Sequence, residues 1–147
     1  TEKWKKLHAE IKEHGVRNGY MMAVAPNMST SIIAGSTASI DPIFKPFYSE
    51  EKKSGKYPTV APDLDHNTYE YYRKSVYHID QFWSVKQNIA RQRHVDQAIS
   101  FNIYVPNTIR ASILLDLHMQ VWKGRGKSTY YIRSTANEVE DCEWCSS

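Results

Sequence analysis

The last third of the chain constrains the fold most. Ser100 to Val105 alternates apolar and polar side chains and is stopped by Pro106. Ile109, Ile113, Leu114, Leu117 and Val121 then recur at helical spacing, with Asn107 or Thr108 as the expected cap and Gly124 and Gly126 as the stop. Thr129 to Arg133 is again β-prone. Two strands joined through a helix cannot form a hairpin. They imply parallel or mixed sheet with a right-handed crossover, which places the chain in the α/β class.

Upstream, residues 2–14 read as an amphipathic helix with Trp4, Leu7 and Ile11 on one face and Gly15 as its C′ residue. Tyr20 to Ala25 is a short, mostly apolar run suited to a buried strand. Pro26, Asn27, Met28, Ser29, Thr30 and Ser31 break it, and Ile32-Ile33-Ala34 resumes an apolar, helix-like pattern. A strand, a hydroxyl-rich turn and a helix start make a ready anion site, because the first amides of a helix are unpaired and its dipole favours negative charge. Plain N-capping by Ser29, Thr30 or Ser31 explains the same residues.

Asp41-Pro42 and Lys45-Pro46 read as turns or extended pieces, and 47–62 as a surface excursion, mobile in part or a long hairpin. Asp65 or Asn67 is expected to cap a helix through Tyr71, Tyr72 and Val76. A longer helix opens at His78-Ile-Asp80 and runs through Phe82, Val85, Ile89 and Val95, with Gln81, Lys86, Arg91 and Arg93 on its solvated face and His94 as a structural histidine. Three strands make a poor sheet alone, so the chain is expected to be a segment of a larger α/β barrel. Its start at Thr1, without an initiator methionine, also suggests a piece of something longer.

With 147 residues, 41% hydrophobic and 24% charged, the chain has the composition of an ordinary soluble domain with a real core. No apolar run is long enough to cross a bilayer, and no leader precedes the first helix, so a cytoplasmic location is expected. The net charge of +3 is spread over several lysine and arginine clusters. No basic stripe with aromatic platforms marks a nucleic-acid polymer as partner. Cys142 and Cys145 are the only cysteines, two residues apart, which points to a redox or metal pair rather than a structural staple. Zinc needs about four ligands, and His66, His78, His94 and His118 lack ligand spacing. No metal is therefore expected in this chain.

Gly15-Val16-Arg17-Asn18 leading into Tyr20 to Ser31, then His94-Val-Asp96-Gln97-Ala-Ile-Ser100, then Tyr130-Tyr131 and a terminal Cys-x-x-Cys, occur in one order along the chain. Together these motifs, spanning nearly the whole sequence, resemble the C-terminal portion of the large, catalytic subunit of class I (oxygen-dependent) ribonucleotide reductases. The resemblance implies a segment of a ten-stranded α/β barrel over 1–135, with helices alternating with a few strands, and a flexible redox tail over 136–147.

It also implies roles for particular residues. Pro26 to Ser31 would hold the phosphates of a ribonucleoside diphosphate. Tyr130 and Tyr131 would pass a radical to an active-site cysteine, and Cys142 and Cys145 would re-reduce the active-site disulfide. Adjacent residues in a regular strand point to opposite faces, so a working Tyr130-Tyr131 pair requires a distorted backbone. The radical-bearing and reducible active-site cysteines of the family lie upstream, so this chain alone is expected to be inactive. The implied partners are the remainder of the large subunit, a small subunit carrying a dinuclear metal and radical cofactor, and thioredoxin or glutaredoxin. A non-catalytic binding module of the same fold and a free dithiol oxidoreductase are the competing readings.

Overall fold

The computed structural model describes residues 1–52 and 55–135, so Cys142, Cys145 and the arm carrying them lie outside the described residues. The elements are α1 (Glu2–His14), α2 (Met28–Ala34), β1 (Phe47–Lys52), β2 (Gly55–Val60), α3 (Tyr69–Tyr72), α4 (Gln81–Gln92), β3 (Ile103–Val105), α5 (Ala111–Lys123) and β4 (Ile132–Ser134).

The β3–α5–β4 unit has the parallel pairing that its sequence demands, with Ile103 opposite Ile132 and Val105 opposite Ser134. A third extended piece joins the same region. Met22 and Val24 accept hydrogen bonds from the amides of Gln97 and Ser100, and Val24 forms a parallel bridge with Ile99. Asp96 anchors it through Oδ2, which accepts from the amides of Met21 (2.8 Å) and Met22 (2.9 Å).

The expected strand at Tyr20–Ala25 is thus only a bridged extended segment, and Tyr20, Met21 and Met22 are exposed rather than buried. Among the described residues it has one neighbour along part of its length, without the second ladder and covering layer that bury a central strand.

The core lies between α4, α5 and the extended chain of residues 95–105. Val85, Val95, Ile99, Phe101, Ile103, Val105, Leu117 and Val121 form one buried cluster. Fully burying each such side chain contributes roughly 1.5–3 kcal/mol. Asp80 caps α4 by accepting from the Phe82 amide at 2.9 Å, in agreement with the helix start read from the sequence.

Gln81 departs from that reading. It is buried, donating from Nε2 to the Val76 carbonyl (2.8 Å) and accepting at Oε1 from the Tyr104 amide (3.1 Å). An amide carries a donor and an acceptor, so it satisfies two otherwise orphaned backbone groups at once. Helical periodicity does not reveal that use.

Other boundaries shift by the same local logic. α5 starts at Ala111, with Arg110 in the cap position, rather than at Asn107 or Thr108. The 47–62 excursion is an antiparallel hairpin of β1 and β2. Asp65 organises the short α3 by accepting from the amides of Asn67 (2.7 Å) and Thr68 (2.8 Å). α1 spans the expected residues, yet its apolar face is open: Trp4 is 70% exposed, and Leu7 and Ile11 are also uncovered.

The α4–α5 contact closes tightly at Gly124. A Cβ there would come within 2.5 Å of Ile89 Cδ1 and 2.8 Å of both Ile89 Cγ atoms. Because Cγ2 belongs to a β-branched side chain, rotation cannot clear all three. Gly124→Ala is therefore expected to destabilise the protein by about 1–3 kcal/mol, an overpacking cost. Combining it with Ile89→Ala should give less than the sum of the two single effects in denaturant unfolding.

Candidate functional site

The loop before α2 and the strand at the end of the chain meet across one open cavity of about 610 Å³. Pro26 lines it from the loop, Met28 and Ser31 from α2, and Tyr130, Tyr131 and Arg133 from the opposite segment. Asn27 before α2, and Ser29 and Thr30 in its first turn, are exposed and do not form the cavity wall.

The loop differs from a conventional capped helix start. Asn27 is the N-cap residue, in the left-handed conformation at φ 48°, and makes no side-chain capping bond. Ser29, Thr30 and Ser31 lie inside the helix, so the capping reading of these residues does not hold. Ser31 is buried and spends its hydroxyl on the Met28 carbonyl at 2.6 Å. No side-chain cap occupies the N–H end of this helix, where backbone donors and the helix dipole favour an anion. The Pro26 carbonyl accepts from the Ser39 amide at 2.8 Å, tying the loop entrance to the following segment.

Tyr130 and Tyr131 precede β4 rather than lying within it. Their ring centroids are 4.0 Å apart, with planes inclined at 48°. The required departure from strand alternation is present. The Arg133 guanidinium carbon lies 5.5 Å from the Tyr131 ring centroid, in cation–π range. The Tyr130 phenol is held above its ordinary value of 10.0, first by hydrogen bonding to Tyr131, then by the charge of Tyr131 and by desolvation, with Arg133 opposing. Tyr130 is therefore neutral at physiological pH, and oxidising it to a neutral radical requires release of a proton together with an electron.

Two residues that the sequence reading passed over sit behind this pair. Asp41, read only as part of a turn, is buried and accepts from Asn102 Nδ2 (2.7 Å) and Ser39 Oγ (3.0 Å). Burial raises its carboxyl above 3.8, while hydrogen bonds from Asn102 and Ser39 and the charge of Arg133 pull the other way. Asn102 is buried between Phe101 and Ile103, which are also buried. A polar residue inside an apolar run was the available signal, but simple alternation assigns it to the outer face. Among the described residues, no group of three or more His, Cys, Asp or Glu side chains comes together to hold a metal ion.

The family model for the ribonucleotide reductase barrel domain matches residues 1–132. This chain belongs to that family. Over all of its length it is 46% identical to the ribonucleoside-diphosphate reductase subunit alpha of Treponema pallidum, of which it spans 17%. It is 38% identical to the subunit of that name from Helicobacter pylori strain 26695 over 94% of this chain and 18% of the relative. The Bacillus subtilis subunit alpha is 33% identical over 99% of this chain and 21% of its own length. The chain therefore corresponds to about a fifth of these reductase subunits, within the barrel. Trp4 on α1 and Trp122 on α5 leave apolar faces exposed. None of its described helices is long and apolar enough to cross a membrane.

Two titrations follow. The tyrosinate absorbance that Tyr130→Phe removes should titrate in the parent protein with a midpoint above the ordinary 10.0. For Asp41, a folded-state carboxyl raised above 3.8 contributes stability that is fully present below pH 3.8 and lost as pH rises through the folded value. Asp41→Asn should therefore compare more favourably with the parent near neutrality than at acidic pH, as read by denaturant midpoints across that range.

Proposed function

We propose that this chain is the C-terminal part of a ribonucleoside-diphosphate reductase large subunit, converting ribonucleotides to deoxyribonucleotides for DNA synthesis by radical chemistry. The observation that carries the proposal is the Tyr130–Tyr131 ring contact, at 4.0 Å, on the wall of the cavity that Pro26, Met28 and Ser31 also line. A redox-active aromatic pair and an anion-binding loop are needed on one cavity if a radical is to reach a phosphorylated substrate.

In this reading, the segment of Pro26, Asn27, Met28, Ser29, Thr30 and Ser31 holds the substrate phosphates, through backbone amides at the start of α2 and the hydroxyls of Ser29 and Thr30. The uncapped helix start supports that role. Tyr130 and Tyr131 carry the radical inward. Each phenol in turn loses an electron and a proton and recovers both from its neighbour, and the pair ends by taking a hydrogen atom from an active-site cysteine. The thiyl radical so formed abstracts the 3′ hydrogen of the substrate.

Cys142 and Cys145 then return the active-site disulfide to thiols by exchange and become a disulfide themselves. Thioredoxin or glutaredoxin restores them. The stable radical and its dinuclear metal site belong to a separate small subunit, which fits the designation of the relatives as alpha subunits. The active-site cysteines come from the rest of the large subunit, so the chain by itself is expected to be inactive.

Tyr131→Phe in the complete reductase should lower turnover by roughly two orders of magnitude or more while leaving KM for the nucleoside diphosphate unchanged. Undiminished turnover would remove the relay from the proposal. Ser29→Ala and Thr30→Ala should behave in the opposite way. Each loses a hydrogen bond to a charged group, about 1.5–3 kcal/mol, seen as a raised KM with little change in kcat. An unchanged KM in both variants would exclude these hydroxyls from phosphate binding.

A further inference from the structure

The backbone at Tyr130 and Tyr131 is one residue out of step with the ladder beside it. β3 and β4 pair with Ile103 opposite Ile132, which places Asn102 opposite Tyr131. In a regular parallel ladder with that register, the Tyr131 amide donates to the Phe101 carbonyl and the Ile103 amide to the Tyr131 carbonyl. The second bond is present at 2.9 Å, but the Phe101 carbonyl is taken by the Tyr130 amide at 2.9 Å. The Tyr131 amide donates instead to the side-chain carbonyl, Oδ1, of Asn102 at 3.3 Å. Two successive amides of one strand thus face the same neighbour, which is the condition of a bulge. Strand alternation is suspended there, and the two rings lie together.

The Asn102 side chain can serve as this acceptor only in one orientation of its amide. Its Nδ2 donates to Asp41 Oδ2 at 2.7 Å, and its backbone amide donates to the same carboxylate at 3.2 Å and 3.3 Å. Flipping the amide would set Oδ1 against a carboxylate and an NH₂ group against the Tyr131 N–H, losing both bonds. Asp41 and Asn102 are both buried, so water does not readily take over the bond between them.

We propose that Asn102, oriented by Asp41, is the positioning residue that holds the Tyr130–Tyr131 pair in ring contact. Its bond to the pair runs to the backbone amide of Tyr131 and not to a phenol oxygen. It acts by supplying the ladder acceptor that the bulge leaves missing. The inference rests on the radical relay proposed above.

The test uses the full-length large subunit that carries this chain, assayed with its radical-bearing small subunit. Asn102→Ala should lower kcat about a hundredfold, the order of loss for an ångström-scale misplacement of a reacting group, with KM for the nucleoside diphosphate within about twofold of the parent. Asn102→Asp sets a carboxylate against Asp41 and should lose about as much.

The exchange Asp41→Asn with Asn102→Asp restores one donor facing one acceptor and keeps an acceptor for Tyr131. It should recover at least about tenfold in kcat over Asn102→Asp alone. This comparison decides even if the alanine variant fails to fold. Turnover of Asn102→Ala within about threefold of the parent, or an exchanged pair no better than Asn102→Asp, overturns the inference. Tyr131→Phe separates the two levels. If it is inactive while Asn102→Ala is unimpaired, the relay stands and the positioning role falls. If Tyr131→Phe turns over normally, both fall.

Discussion

The Phe101 carbonyl has room for one strand partner at this step of the ladder, and the Tyr130 amide occupies it. That choice sets the geometry around the cavity. It displaces the Tyr131 amide onto Asn102, brings two phenols to 4.0 Å, and places Asn102 in contact with Asp41 across 61 residues of sequence. The displaced amide finds another acceptor, in a part-buried bond of 3.3 Å. Asn102 is that acceptor.

The buried polar set behind the tyrosines is therefore a connected network rather than a collection of defects. Asp41 is the costly member: burial opposes its charge, and Asn102, Ser39 and Arg133 offset that cost. Ser39 and Asn102 donate hydrogen bonds and Arg133 acts through its charge, with Asn102 beside β3 and Arg133 in β4. The network thus joins the segment after α2 to the β3–β4 ladder. The cavity between the Pro26–Ser31 loop and the tyrosine pair lies across that junction, and Asp41 and Asn102 contribute to its wall. The same bonds that shape the ring pair also hold the two halves of the candidate site in place.

Much of the architecture was legible. The β3–α5–β4 crossover followed from Pro106, the helical spacing of Ile109 to Val121 and the two glycines. α1 spans its expected residues, and α4 starts directly after His78-Ile-Asp80, where the helix was expected to open. The failures share one cause, which is that a neighbour decided the outcome. Gln81 fits a solvated face by periodicity but is buried because Val76 and Tyr104 need its amide. Tyr20–Ala25 has the composition of a buried strand, yet it has one partner along part of its length. Ser29, Thr30 and Ser31 are good capping types, but Asn27 takes the cap position in the left-handed conformation, which leaves them inside the helix.

At the candidate site the division is sharper. The order of its motifs and the adjacency of Tyr130 and Tyr131 were available from the chain alone, and with them the family and the need for a distorted backbone. Covalent adjacency and periodicity are local properties, written in the residues themselves. Which carbonyl each tyrosine amide meets, and that Asp41 and Asn102 stand behind them, was not available. Those facts depend on the register between segments brought together by the crossover, and a one-residue offset in that register carries no signature in composition or spacing. The sequence determined that two phenols stand side by side in the chain; only the tertiary structure decided that they also lie side by side in space.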